Sequence, residues 1–185
     1  MLLLASKSPR RRELLKMLDI PFEIVEIKDV EEIYPDSLPK EKVPEFLSQL
    51  KADAYRSELQ EGDILITADT VVIIDNEIIG KPRGREDAIR MLSILSGRTH
   101  KVVTGVSLTS KEKSVTFSTV TEVSFAPLTR DQIEFYVDRY RPLDKAGAYG
   151  IQEWIGAVGV AGINGSFYNV MGLPVHRLFK ELSGF

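Results

Sequence analysis

The sequence contains no cysteine. That excludes disulfides, thiolate metal sites and a cysteine nucleophile. It has two histidines, His100 and His176, too few for a multi-histidine zinc centre. Positive charge is not in excess: 24 Lys and Arg stand against 27 Asp and Glu, a net charge of −3, which argues against a general nucleic-acid binder. Long apolar runs are missing, and "MLLLAS" is too soon followed by charge to read as a signal peptide or a membrane span. The expectation is therefore a cytoplasmic protein with no membrane partner. There is no GxxxxGK[ST] phosphate loop, no GxGxxG fingerprint and no GxSxG elbow. Repeats, low-complexity stretches and long linkers are absent as well. What remains is 185 residues, 43% hydrophobic and 28% charged, enough for one domain spanning 1–185 or two small lobes with an ample core.

Periodicity along the chain gives an α/β pattern. Leu2 to Ala5 reads as a buried strand and Ser6 to Ser8 as a tight polar loop. A helix then runs to about Asp19, with Ser8 as its capping hydroxyl and Pro9 at its first position. Phe22 to Ile27 alternates like a strand. Lys28 to Lys40 is an acidic, proline-containing loop, and Glu41 to Glu58 reads as a helix with Val43, Phe46, Leu47, Leu50 and Ala54 on its apolar face. Ile64–Ala68 and Val71–Ile74 are two β-rich runs, with Asp69 between them. Asp75-Asn76 is a hairpin turn before Glu77–Ile79. A helix over 85–95 ends at Gly97, which reads as its C-terminal glycine cap. Two strands, 101–109 and 115–125, follow. Thr129 then caps a helix running to about Arg139. The glycine-rich stretch from Lys145 to Pro174 is expected to hold one or two short strands, before a final helix to Leu182. Hairpins among helices imply a mixed sheet.

The three arginines Arg10 to Arg12 pose an electrostatic problem. A helix N-terminus carries about +0.5 charge, so cations in the first turn are disfavoured, and Glu13 is the only acid nearby. A bound anion removes the conflict, because helix N–H groups and arginine forks both favour phosphate. Solvated arginines are the plainer alternative. Asp69, bracketed by apolar strands, is either a strand-end turn or a carboxylate that meets a cation. Lys51 and Lys81 read singly as a snorkelling and a loop lysine, Glu31 and Glu32 as a solvated acidic patch, His100 as structural and Gln152 as an exposed amide. Together they supply cations for polyphosphate and carboxylates for a divalent metal, the equipment of phosphoanhydride chemistry.

The segments "SKSPRRRELL", "ADTVV", "GKP", "LSGRTH", "TGV", "AGAYGIQ" and "NGSFYNVMGLPV" resemble, in the same order, the Maf family of nucleoside triphosphate pyrophosphatases. The resemblance implies a mixed α/β fold similar to the Ham1, inosine triphosphatase-like class, with an elongated sheet and two lobes around a cleft. It also implies a hydrolase that splits a nucleoside triphosphate into monophosphate and pyrophosphate with Mg²⁺ or Mn²⁺; clearance of modified nucleotides is one role it allows. Asp69 matches the family's proton acceptor and Glu32, Lys51 and Lys81 its other catalytic positions, with Glu31 as the alternative to Glu32. Asp69 and Glu32 are the implied metal ligands. Arg10, Thr70 and Gln152 match positions tied to substrate choice in the subfamily that takes dTTP and UTP; Ser8 and Arg11 join them at the substrate, with Arg12 solvated. One departure is Glu153-Trp154 directly after Gln152, where many relatives have glycine. The implied partners are the nucleotide and, at most, a second copy of the chain in a homodimer. The rival from another class is a non-catalytic nucleotide-binding regulator of septum formation.

Overall fold

The computed structural model describes residues 1–185. Seven strands form one mixed sheet in the order β2-β1-β3-β5-β6-β7, with β4 paired to β3. They are β1 (Leu2–Leu4), β2 (Phe22–Ile24), β3 (Ile64–Ile74), β4 (Glu77–Ile79), β5 (Thr99–Thr109), β6 (Ser114–Phe125) and β7 (Val160–Asn164). β1 runs parallel to both β2 and β3, with Leu4 opposite Ile24 and Ile66, whereas β3–β4 and β6–β7 are antiparallel. The helices are α1 (Pro9–Lys16), α2 (Val43–Asp53), α3 (Arg85–Leu95), α4 (Arg130–Tyr140), α5 (Trp154–Gly159), α6 (Phe167–Met171) and α7 (Val175–Gly184). None is long and apolar enough to cross a membrane.

Contacts group the chain into two compact units. The first comprises residues 1–70, 104–119 and 172–185, and the second residues 71–103 and 120–171. In the first, Tyr55, Leu59 and Leu65 form a small core under β1 and β3, with Leu3, Ala5, Val25 and Ala54 against it. α2 lies unusually close to β5. A Cβ added at Gly105 would fall 2.2 Å from the Pro44 carbonyl carbon, so only glycine permits this approach. Ser48 Oγ then lies 2.9 Å from Ser107 Oγ, and Thr67 Oγ1 donates to the Ser48 carbonyl at 2.7 Å.

The second unit has a core of its own. The α3 residues Ala88, Ile89, Leu92 and Leu95 and the α4 residues Ile133, Tyr136 and Val137 pack with Val72, Val102, Val123 and Phe125 of the sheet. A capping box starts α4: Thr129 Oγ1 accepts from Gln132 N–H, and the Gln132 side chain accepts from Thr129 N–H. His100 is buried among Phe125 and Tyr149, with Nε2 2.6 Å from the Tyr149 hydroxyl. Burial pulls its pKa down to about 4. The unfolded chain takes up this proton near pH 6.5. Between the two values the unfolded state therefore binds more protons, and stability falls as pH drops from 6.5 to 4, by up to about 3 kcal/mol. Replacing His100 by Gln should flatten that part of the melting-temperature profile. An unchanged slope would assign it to other groups.

Three sequence expectations need correction. "ILITADTVVII" is one continuous strand, so Asp69 sits in mid-strand and not in a break between two strands. The second helix ends at Asp53, five residues early, in a turn where Tyr55 is buried, donates to the Glu26 carbonyl and accepts from Lys28 N–H. Phe46, placed on its apolar face, is 38% exposed, while Pro44 and Ser48 take the buried positions against β5.

Candidate active site

Alternation along β3 sorts its side chains. Leu65, Thr67 and Asp69 share one face, and Ile66, Ala68 and Thr70 the other. Thr67 is the pin to α2 at Ser48. Three residues further along α2 comes Lys51, about 4.5 Å on, and two residues further along β3 comes Asp69, about 6.6 Å on. Fixing Ser48 against Thr67 thus delivers Lys51 to Asp69. Lys51 Nζ donates to Asp69 Oδ1 at 2.7 Å. The same ammonium lies 3.0 Å from Glu32 Oε1. Of the two candidate acids, Glu32 is thus the one that reaches Lys51.

The three charges differ in exposure. The side chain of Asp69 is 13% exposed, that of Lys51 22% and that of Glu32 49%. Asp69 is thus a mid-strand carboxylate whose desolvation is offset by a charge-assisted hydrogen bond. Glu32 comes from the acidic loop and can move into water without breaking a strand.

On the opposite face, Thr70 Oγ1 lies 2.9 Å from Thr104 Oγ1 of β5 and accepts from Arg11 Nη2 at 3.0 Å. Arg11 also donates through Nη1 to the Ala68 carbonyl at 3.0 Å and through Nε to the Gly172 carbonyl at 2.8 Å. Its guanidinium fork therefore clamps β3 and the segment before α7 onto the start of α1. The sequence placed this fork on phosphate; the structure commits it to protein acceptors. Burial lowers the Arg11 pKa, opposed by the negative charge of Asp69, while Arg10 lowers it further and Glu32 raises it. Arg12 also departs from expectation: its Nε is shielded from solvent with no protein acceptor, not solvated. Ser8 caps α1 as expected, its Oγ accepting from Arg11 N–H at 3.4 Å, and Ser6 Oγ accepts from Ser8 N–H at 3.2 Å. Arg10 is partly buried in the first turn, where no acid is present.

Lys81 and Gln152 belong to the second unit. Lys81 is exposed in the loop after β4, beside Gly80, whose carbonyl accepts from Gly147 N–H at 3.0 Å. Gln152 is exposed in a turn closed by the Glu153 N–H to Gly150 carbonyl bond at 3.0 Å. Sequence reasoning missed the partners that fix these residues. Thr104 lay within the quoted "TGV" and carried a usable signal. Tyr136, which accepts from Gly150 N–H at 2.9 Å, carried none, because its role exists only once α4 meets the turn.

The groups suited to a divalent cation are Asp69 and Glu32, and no cluster of three or more His, Asp or Glu residues suits one. Two carboxylates facing one ammonium are an all-oxygen donor pair. Magnesium accepts such a pair, because it keeps several waters and takes further oxygens from phosphate. The donor chemistry thus fits, with Lys51 holding both acids toward one point.

Comparison with known proteins identifies the lineage. The dTTP/UTP pyrophosphatase of Porphyromonas gingivalis is 55% identical over 186 residues, covering 100% of this chain and 94% of that one. The dTTP/UTP pyrophosphatase of Bacteroides thetaiotaomicron is 51% identical over 181 residues, covering 98% and 94%. Among solved structures, the Ham1 protein of Staphylococcus aureus superposes with a TM-score of 0.59 at 18% identity, covering 99% of this chain and 98% of that one, a likeness of fold. Residues 1–185, the whole chain, match the family described as Maf-like protein, and the chain belongs to that family.

Proposed function

We propose that the chain hydrolyses nucleoside triphosphates, dTTP and UTP foremost, to the nucleoside monophosphate and pyrophosphate. The observation that carries this reading is the Asp69–Lys51–Glu32 array, in which one ammonium meets two carboxylates at 2.7 and 3.0 Å. The names of the relatives from P. gingivalis and B. thetaiotaomicron support the substrate class.

In the reaction, the oxygen of a water molecule bonds to the α-phosphorus and the bond to the bridging oxygen breaks. The electron pair leaves with pyrophosphate, and Asp69 takes the proton of the attacking water. Asp69 and Glu32 would hold Mg²⁺ or Mn²⁺, which when bound neutralises phosphate charge and polarises the phosphoryl oxygens. Lys51 keeps the two acids from repelling each other, and its charge favours the departing pyrophosphate. Ser8 and Arg10, at the start of α1, take phosphate oxygens, where the helix N-terminus already favours an anion. Arg11 holds Thr70 and β3 in place and adds its charge. Lys81 is assigned to the pyrophosphate and Gln152 to the base. A glutamine amide can accept from the N3–H of uracil or thymine and donate to a neighbouring carbonyl.

The test is product analysis with UTP and Mg²⁺. UMP and pyrophosphate are expected. UDP with orthophosphate would make the protein a phosphatase. Absence of turnover with every nucleotide would favour the non-catalytic regulator.

A further inference from the structure

A glutamine amide reads uracil and, flipped end for end, reads cytosine equally well, so selectivity requires something that fixes its orientation. The charged neighbour placed to do so is Glu153. A Cβ placed on Gly150 would lie 2.3 Å from Glu153 Oε1 and 3.2 Å from Gln152 Nε2. Lys145 Cε, at 2.9 Å from the same point, completes the group, so the carboxylate, the lysine stem and the nitrogen end of the amide all border the space over Gly150. An anion there attracts the NH₂ group and repels the amide oxygen.

Glu153 is itself held from two sides. The Tyr136 hydroxyl donates to Glu153 Oε1 at 3.2 Å while accepting from Gly150 N–H at 2.9 Å. Lys145 Nζ lies 3.5 Å from the same carboxylate oxygen. Tyr136 is fully buried in the α4 core and Lys145 is largely buried, so neither tether is a mobile surface side chain. Tyr136 bridges the first and last residues of the Gly150–Glu153 turn, and Gln152 lies inside it.

We propose that Glu153, positioned by Tyr136 and Lys145, is a specificity-determining residue. It turns the NH₂ of Gln152 inward and its oxygen outward, so the amide accepts from the N3–H of uracil or thymine and rejects the N3 acceptor of cytosine. This rests on the reading of Gln152 as the base contact.

Replacing Glu153 by Gln keeps the shape and the Tyr136 bond but removes the charge. Wild-type kcat/KM for UTP is expected to exceed that for CTP by at least about tenfold. In Glu153→Gln the UTP value should fall and the CTP value should rise, bringing the ratio within about threefold. A gain with CTP is something that damage to the fold cannot produce. Tyr136→Phe, which frees the carboxylate, should shift the ratio the same way and decides the matter if Glu153→Gln is not folded. Gln152→Ala, assayed alongside, separates this proposal from its premise. If Gln152→Ala abolishes selectivity while both other variants keep the wild-type ratio, Glu153 does not orient the amide. A parallel loss with UTP and CTP in the Glu153 and Tyr136 variants would leave them a structural role only and overturn the proposal. An unaltered ratio in Gln152→Ala would remove Gln152 as base reader, and the proposal with it.

Discussion

Asp69→Asn should lower kcat by at least about 10²-fold, the cost of losing a general base or a metal ligand. The substitution keeps the volume and one oxygen, so the strand and the Lys51 contact can persist. What disappears is the negative charge that Lys51 meets at 2.7 Å and that would receive the proton of the attacking water. A folded Asp69→Asn variant with near-normal turnover at saturating metal would remove Asp69 from the chemistry. Glu32→Gln is expected to be milder, because Glu32 is 49% exposed and its pairing with Lys51 is correspondingly screened.

Arg11→Ala should destabilise the protein by about 4 kcal/mol, lowering the melting temperature by about 12 °C. The guanidinium donates to two backbone carbonyls, Ala68 and Gly172, and to Thr70 Oγ1. Hydrogen bonds from a charged donor contribute about 1.5–3 kcal/mol each and are not fully additive. Truncation also leaves acceptors in a partly buried setting without their donor. The sequence alone led to the opposite expectation, since a cation in a first helical turn opposes the dipole and its removal should relieve strain. A thermal melt of Arg11→Ala without nucleotide decides between the two. An unchanged melting temperature would mean that the three bonds contribute nothing net and that the arginine is held there for ligand.

The contrast shows which features were legible. Ser8 and Pro9 marked the start of α1, Thr129 that of α4, and Asp75-Asn76 the β3–β4 turn, where both residues have positive φ, 53° and 60°. These are local devices, in which a side chain caps its own neighbourhood or a backbone tolerates the left-handed region. The glycine-rich third was read less well. It holds β7 as expected, but also α5 and α6, helices that propensity disfavours. α5 exists because Ile155 is fully buried in the core, which offsets the helix cost of its glycines, and Gly156 is required in it because a Cβ there would strike the carbonyl oxygen of Ile151 in the preceding turn at 1.7 Å.

At the candidate site, residue types pointed to phosphoanhydride chemistry, but their partners were invisible in the sequence. Asp69 and Lys51 were each identifiable, yet their meeting depends on Gly105 admitting α2 to the sheet and on Thr67 reaching the Ser48 carbonyl. Arg11 was singled out for its charge, whereas its acceptors are mostly main-chain carbonyls that no sequence pattern records. Glu153 stood out as a departure after Gln152, and its attachment to Tyr136 is a contact 17 residues apart.

The central claim is that water attacks the α-phosphorus of a nucleoside triphosphate and pyrophosphate leaves. Turnover of UTP with Mg²⁺ in water labelled with heavy oxygen, followed by mass spectrometry of both products, tests it most directly. The label should appear in UMP, with pyrophosphate unlabelled. Label in pyrophosphate would place the attack at the β-phosphorus, and label in orthophosphate would place it at the γ-phosphorus; either result would contradict the account.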